Sequence, residues 1–222
     1  MSVLYGTSLS AQVLTLPQRV ADPLALTPEG WELLAHTRGD LNQDGLPDLA
    51  VVWQGTDPAL IEQGSHDGSN LNLRPLVVYF QQPGGGYQLQ VQVDSLVPRK
   101  ESPNMDDPFD AIYITERGVL QLQLHLFYSM GSWTTSDHTY KWRYQRGRFE
   151  LIGYGGDEVH RGSGAVTVYS INFSTRKMRI TRGNLAQEAT ATTEWKRFEL
   201  AQLKALSEMG QLFRWAFMGV YL

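Results

Sequence analysis

Two stretches of the sequence alternate strictly between apolar and polar residues, and this pattern constrains the fold most. In residues 87–93, one Tyr, one Leu and two Val alternate with three Gln, and in residues 120–126 four Leu alternate with Gln, Gln and His. A period of two places every second side chain on the same face of a β-strand. Each stretch follows a glycine-containing turn and an apolar run, at 76–80 or 111–114. The sequence therefore predicts two antiparallel hairpins.

Two further regions extend the prediction of a mainly β protein built from antiparallel hairpins. Residues 139–144 and 148–154 flank an Arg-Gly turn, and residues 166–173 and 177–181 form another strand pair. No linker divides the 222 residues, so we expect a single β-rich domain over residues 1–222. Hairpins of this kind fit either a sandwich or a propeller-like arrangement.

The two ends of the chain carry different signals. Residues 11–16 are apolar enough to predict an edge strand. From Glu199 onward, apolar residues recur at helical spacing and Gly210 is placed to cap a C-terminus, which predicts one short C-terminal helix. The helical positions are Leu200, Leu203, Leu206 and Met209. Residues 212–222 are too apolar for a loose tail and predict a closing strand.

Composition excludes several classes of function. A formal net charge of -4 and a pI of about 5.7 argue against nucleic acid as a partner, because phosphate binding needs clustered Lys and Arg. The chain has no cysteine, which excludes disulfides, zinc–thiolate sites and cysteine catalysis. No apolar run is long enough for a membrane span. Residues 1–6 lack the features of a signal peptide, so the start is either native or replaces a removed signal.

One polar segment carries the pattern of a metal-binding loop. Short side chains with oxygen atoms recur between residues 40 and 48, and Gly45 stands where the backbone must turn sharply. Calcium takes six to eight oxygen ligands at about 2.3–2.6 Å, from carboxylates, amides and backbone carbonyls. We expect a structural Ca²⁺ site whose ligands are Asp40, Asn42, Asp44, the carbonyl of Leu46, and Asp48.

The flanking residues decide which kind of calcium loop this is. An EF-hand places the loop between two helices and ends it with a bidentate Glu at position twelve, but the twelfth residue counted from Asp40 is Val51. Residues 31–36 and 49–53 both read as strands. We therefore expect a calcium-bound hairpin over about residues 31–53. The Arg-Gly-Asp tripeptide at 38–40 is not interpreted as an integrin ligand, because Asp40 would face the metal.

The segment resembles the FG-GAP/VCBS-type calcium loops of integrin-like β-propeller repeats. In those loops Asp-x-Asp/Asn-x-Asp-Gly-x-x-Asp precedes a hydrophobic strand. The resemblance covers residues 31–53 and implies a metal site, whereas a propeller would need several copies of the repeat. The chain is also similar to bacterial exported proteins of unassigned role that carry one such loop followed by β-hairpins. The matching residues are Asp40, Asn42, Asp44, Gly45, Asp48 and the strand residues 49–52.

The sequence offers little for catalysis. No Gly-x-Ser-x-Gly elbow, His-Glu-x-x-His zinc motif or phosphate-binding glycine loop occurs. A carbohydrate-active hydrolase built on loop carboxylates is one alternative, because a pair of carboxyl groups can act as acid and base. The carboxylates considered for it are Asp106, Asp107, Asp157 and Glu158.

Other residues are candidates for contact with a protein or glycan partner. Tyr140, Trp142 and Tyr144 alternate with Lys141 and Arg143, which favours a core position for the aromatic rings. Trp133 lies in a polar stretch and is expected to be exposed. The polar connection of residues 55–73 is long for a compact domain, and long loops are often functional. The predicted contact residues are therefore Trp133, His66 and Asp67.

These observations predict a non-enzymatic, calcium-stabilised binding module. We expect it to be periplasmic or extracellular, because calcium sites of modest affinity are filled more easily outside the cytosol. The other alternative is an inhibitor or immunity protein that acts on a secreted enzyme. The calcium ion of the predicted loop would have a structural role.

Overall fold

The protein is mainly β-sheet in a computed structural model that describes residues 13–26, 28–62, 68–187 and 191–222. Single 3₁₀ turns occur at Pro23–Ala25, Pro58–Leu60 and Leu206–Glu208. Within these residues no helix is long and apolar enough to cross a membrane. The strands are β1 (Arg19–Val20), β2 (Trp31–Gly39), β3 (Asp48–Gly55), β4 (Ile61–Glu62), β5 (Ser69–Asn70), β6 (Leu76–Gln81), β7 (Tyr87–Val93), β8 (Phe109–Ile114), β9 (Val119–Leu126), β10 (Thr134–Gln145), β11 (Arg148–His160), β12 (Ala165–Asn172), β13 (Lys177–Asn184), β14 (Thr192–Arg197), β15 (Ala216–Phe217) and β16 (Val220–Tyr221).

The strands form two large antiparallel sheets. The first has five strands in the order β1-β7-β6-β3-β2, and the second has seven strands in the order β14-β13-β12-β11-β10-β9-β8. Two small hairpins, β4–β5 and β15–β16, stand beside them. The seven-stranded sheet is a continuous meander, in which every strand pairs with its neighbour in the chain.

The two large sheets share one hydrophobic core and so form a sandwich. Val52 and Val78 of the five-stranded sheet belong to the same buried cluster as Leu122, Tyr140 and Trp142 of the seven-stranded sheet. The predicted fold class, mainly β with antiparallel hairpins, is confirmed. Of the two arrangements considered, the described residues fit the sandwich and show two facing sheets rather than a ring of blades.

Strand β3 lies between β2 and β6 in the first sheet and is buried on both faces. All eight of its residues are buried. Ala50 and Val52 face the second sheet, whereas Leu49, Val51 and Trp53 belong to a separate cluster. That cluster is completed by residues of the N-terminal segment, including Leu14, Leu16, Val20, Leu24 and Leu26.

All four predicted hairpins are present, and one is longer than expected. They are β6–β7, β8–β9, β10–β11 and β12–β13. The polar stretch 134–138 and the residues 155–160 were not predicted as strand, but they extend β10 and β11. Polar residues occupy both faces of this extension, and the inward-facing pair Ser136 and His138 form hydrogen bonds with neighbouring side chains instead of apolar contacts.

The predictions for the chain ends need correction. The expected C-terminal helix is reduced to the 3₁₀ turn Leu206–Glu208, because the backbone just before it pairs with β11. The N–H of Leu151 donates to the carbonyl of Lys204, and Glu150 forms a β-bridge with Ala205. The expected closing strand is the short hairpin β15–β16. At the N-terminus, residues 13–16 are not a strand, and residues 11–12 lie outside the described residues.

The long polar connection after β3 is partly structured. It contains the 3₁₀ turn Pro58–Leu60 and the hairpin β4–β5. Residues 63–67 lie outside the part of the chain that the structure describes. The predicted contact residues His66 and Asp67 belong to this undescribed segment.

Candidate calcium loop

The predicted metal-binding residues lie in one tight loop, residues 40–47, between the edge strand β2 and the buried strand β3. The loop reverses direction through two residues with positive φ, Gln43 at 63° and Gly45 at 86°. Glycine adopts this conformation without steric cost, which explains its place in the pattern.

Backbone amides of the loop orient its acidic side chains. Asp40 accepts hydrogen bonds from the N–H groups of Asp44, at 3.1 Å, and Gly45, at 2.9 Å. Asn42 Oδ1 accepts from the same Asp44 N–H at 3.1 Å, so oxygens of Asp40 and Asn42 converge on one amide. Asp44 Oδ1 accepts from the N–H of Leu46 at 2.9 Å. The half-buried Leu46 thus helps to fix Asp44, the third oxygen-bearing side chain of the pattern.

Asp48 is fully buried at the end of the loop and forms hydrogen bonds with residues at its start. Its Oδ2 accepts hydrogen bonds from the backbone N–H groups of Leu41, at 2.8 Å, and Asn42, at 3.3 Å. Its Oδ1 accepts from the N–H of Gln81, the last residue of β6, at 3.0 Å. Burial raises the pKa of Asp48 to about 6, and the nearby charge of Asp44 acts in the same direction.

The donor set suits calcium in its chemistry. Three carboxylates and one amide lie on a nine-residue segment, and hard oxygen ligands of this kind are those that calcium prefers. No Lys, Arg or His in the described part of the chain forms a salt bridge with Asp40, Asp44 or Asp48. The side chains nevertheless hydrogen-bond to loop amides, and no group of three His, Cys, Asp or Glu residues is arranged as a metal centre within the described ranges.

The loop packs against the turn that joins β8 and β9 in the other sheet. Gly39 lies so close to Ile114 that an added Cβ would approach the Ile114 side chain to 2.6 Å. Gln43 reaches the carbonyl of Arg117 through a long hydrogen bond of 3.5 Å. These contacts could not be predicted from the sequence, because Gln43 and Arg117 are 74 positions apart and their proximity depends on how the two sheets pack.

The residues considered for partner contact and for the core lie in different environments. Trp133 is 68% exposed, as expected, and its ring lies 6.4 Å from that of His160. Tyr140 and Trp142 are fully buried and stacked with ring centroids 5.8 Å apart, and Tyr144 is half-buried against Phe80. The expectation that this aromatic trio belongs to the core is therefore met.

The acidic residues considered for hydrolysis do not form one site. Asp107 makes a bidentate ion pair with the buried Arg74, through contacts of 2.6 and 2.5 Å. Asp157 and Glu158 are consecutive residues of strand β11, not loop residues, so their side chains point to opposite faces of the sheet. Burial raises the pKa of both carboxyl groups. Asp106 is exposed.

A buried polar cluster escaped the sequence analysis. His138 contacts the Tyr154 hydroxyl through Nδ1 at 2.7 Å and Ser136 Oγ through Nε2 at 2.9 Å. Burial lowers the pKa of His138 to about 4, so the ring is neutral at pH 7. The alternation that places Tyr140 and Trp142 inward also places His138 inward, and this signal was available in the sequence.

Comparison with known proteins gives no relative: no family model, curated protein or solved structure matches this chain.

Proposed function

We propose that this protein is a calcium-stabilised binding module that acts outside the cytoplasm, without catalysing a reaction. The observation that carries the proposal is the unbalanced negative charge of the loop. Asp40, Asp44 and Asp48 lie together without a salt bridge to any described cationic side chain. A buried carboxylate such as Asp48 is costly to ionise unless a cation offsets its charge.

Calcium would be held by Asp40, Asn42, Asp44, Asp48 and the Leu46 carbonyl. A bound divalent ion would supply positive charge to the carboxylates and favour their ionised forms. Since Asp48 is also bonded to Gln81 of β6, fixing its carboxylate would stabilise the junction of β2, β3 and β6. The role of the metal is thus structural. Extracellular modules bind calcium with low affinity, and this supports a location outside the cytoplasm for a site of this kind.

Elemental analysis and thermal unfolding test this proposal together. We expect about one calcium per purified chain and a fall in Tm on addition of EDTA. The loss of stability should reach about 3–4 kcal/mol when free calcium had been several hundred times its Kd. Asp44→Asn should bind calcium more weakly, whereas Asp106→Asn, which neutralises an exposed carboxylate elsewhere, should not. A metal-free protein whose melting curve is the same in calcium and in EDTA would refute the proposal.

A further inference from the structure

The face of the seven-stranded sheet that points away from the core carries a cluster of positive charge. In one row across the sheet, Lys141 pairs with Gly153, Gly153 with Asn172, Asn172 with Lys177, and Lys177 with Arg197. Their chain neighbours Trp142, Ile171 and Met178 are buried in the core, so the row itself faces outward. Three of its five residues are cations.

The cations have no acidic partner in the described parts of the molecule. No salt bridge there involves Lys141, Lys177, Arg179 or Arg197. Lys177 and Arg197 are directly opposite each other on neighbouring strands, and like charges in that position destabilise a sheet. Because the whole chain has a formal net charge of -4, this concentration of positive charge is a local feature. A bound anion would relieve the repulsion.

An exposed tryptophan stands within this cluster. Trp195 of β14 is 66% exposed and pairs across the strands with Arg179, whose guanidinium lies 5.9 Å from the ring centroid. Next to the ring is an open pocket of about 580 Å³, lined by Lys177, Trp195, Lys196 and Arg197. An aromatic face beside several cations suits a ligand that has both an apolar surface and negative charge.

Small and polar side chains extend this surface across the sheet. Gly155 leaves an open position on β11, where an added Cβ would meet nothing within 4 Å, and at the neighbouring Gly153 the Lys141 side chain would lie 3.6 Å from an added Cβ. The row that contains Gly155 also contains Gln123, Thr139 and Ser170. From β10 to β14 the surface covers four interstrand spacings of about 4.8 Å, or roughly 19 Å. It is therefore long and rich in hydrogen-bonding groups.

We propose that this outer face binds an acidic oligosaccharide. Carboxylate or sulfate groups of the ligand pair with Lys177, Arg179 and Arg197, and one sugar ring lies against Trp195. Hydroxyl groups of the ligand hydrogen-bond to polar residues of the two rows, among them Gln123, Thr139, Ser170 and Asn172. The inference names a ligand class for the binding module proposed above, and it rests on that proposal only for the assumption that the protein acts by binding.

Other occupants fit this surface less well. Single-stranded nucleic acid would need a series of exposed aromatic rings for its bases, whereas Trp195 is the one aromatic residue of these two rows between β10 and β14. Lys and Arg on an edge strand can also serve only to prevent sheet-to-sheet aggregation. That role would not require an exposed Trp or the open position at Gly155. Beyond Gly155, the next row carries Asp137 and Asp157, which would repel an anion and so limit the site on that side.

Calorimetric titration of the full chain with size-matched ligands tests the proposal. The probes are a hyaluronan hexasaccharide, which carries carboxylates, a heparin hexasaccharide, which adds sulfates, neutral cellohexaose, and the oligonucleotide dT6. We expect at least one acidic sugar to bind at least tenfold more tightly than cellohexaose and dT6, and to bind more weakly as salt is raised from 50 to 150 mM. The stronger of the two acidic sugars identifies the anionic group that the site prefers.

Matched variants locate the binding site. Trp195→Ala and Arg179→Gln should each weaken the acidic sugar at least fivefold, while Tyr221→Ala, which removes a similarly exposed aromatic ring elsewhere, should have no effect. The proposal is overturned if neither acidic sugar binds at 1 mM, if cellohexaose or dT6 binds as tightly, or if Trp195→Ala binds like the wild type. A calcium-dependent Tm without sugar binding would leave the calcium proposal intact and reject this one. Sugar binding by a protein whose Tm is unchanged by EDTA would support this proposal and reject the calcium proposal.

Discussion

A Cβ atom added to Gly118 would lie 2.7 Å from the backbone carbonyl oxygen of Asp40. This contact joins the β8–β9 turn of one sheet to the first residue of the candidate calcium loop in the other. Gly118 also has a φ of +66°, a conformation that residues with a side chain rarely adopt. The loop is thus supported by a turn that approaches closely only because it contains glycine.

Gly118→Ala should destabilise the protein and weaken calcium binding. The new methyl group must displace the backbone at Asp40, and the positive φ adds strain. The matched control is Gly147→Ala, because Gly147 has a φ of +79° in the β10–β11 turn with nothing within 4 Å of an added Cβ. The control should lose only the roughly 1–2 kcal/mol of backbone strain. Urea unfolding and calcium titration of both variants check this, and equal losses would contradict it.

The pKa of Asp48 predicts an unusual pH dependence in the absence of calcium. The pKa is about 6 in the folded protein against an ordinary value of 3.8, so the folded state takes up a proton before the unfolded chain does. Stability from this group is therefore fully present below pH 3.8 and is lost as pH rises through 6. A difference of two pKa units corresponds to about 3 kcal/mol. The measurement is urea unfolding of wild type and Asp48→Asn between pH 4 and 7.5 in EDTA.

The comparison with Asp48→Asn is needed because His138 acts in the opposite direction over the same range. Its pKa is lowered to about 4 from 6.5, so the folded state loses stability as pH falls from 6.5 towards 4. The difference between wild type and Asp48→Asn removes this common contribution. Parallel stability curves for the two proteins would show that Asp48 does not titrate as described. Saturating calcium should reduce the difference, because a metal ligand stays ionised.

Two buried tyrosines should respond oppositely to loss of the hydroxyl group. Within the described residues, the Tyr140 hydroxyl is buried without a hydrogen-bond partner, whereas the Tyr154 hydroxyl bonds to His138 at 2.7 Å. Tyr140→Phe should therefore leave stability unchanged or raise it by up to about 1 kcal/mol, and Tyr154→Phe should lower it by about 1–2 kcal/mol. Chemical denaturation measures both. A large loss of stability in Tyr140→Phe would contradict the unpaired state of this hydroxyl.

The ion pair between Arg74 and Asp107 should be sensitive to the loss of one partner. Arg74 is buried, with a side chain only 3% exposed, while that of Asp107 is 47% exposed. Asp107→Asn leaves a buried cation without its counter-charge and should cost about 2–3 kcal/mol, less than a fully buried pair because Asp107 is half in solvent. The double variant Arg74→Met, Asp107→Asn should lose less than the two single losses combined. Additive losses in this double-mutant cycle would show that the two side chains do not stabilise each other.

The alternating pattern located β7, β9 and the second half of β10, where apolar and polar side chains occupy opposite faces of the strand. It was uninformative where that contrast disappears. Residues 134–138 are polar on both faces, and the inward-facing Ser136 and His138 are satisfied by hydrogen bonds rather than apolar contacts. At residues 200–209 the helical spacing was misleading, because backbone pairing of Lys204 and Ala205 with β11 took precedence over local preference.

The candidate loop could be predicted because its oxygen-bearing residues are close together in the chain. Its surroundings could not, since they depend on tertiary packing. Gly118 approaches Asp40 only when the two sheets face each other, and Asp48 reaches Gln81 only after β3 and β6 have paired. The basic row of the outer face likewise combines residues from five strands, and its composition follows from a register that the sequence does not specify.

The meander of the second sheet has a consequence for the order of folding. Its seven strands pair only with neighbours in the chain, so it can grow by adding one hairpin after another with short loops to close. The first sheet must instead bring β1 across to β7, and the second face of its inner strands β3 and β6 is covered only when the N-terminal segment returns. We expect residues 13–26, although they precede the other strands in the chain, to reach their final position late, after the rest of the five-stranded sheet has formed.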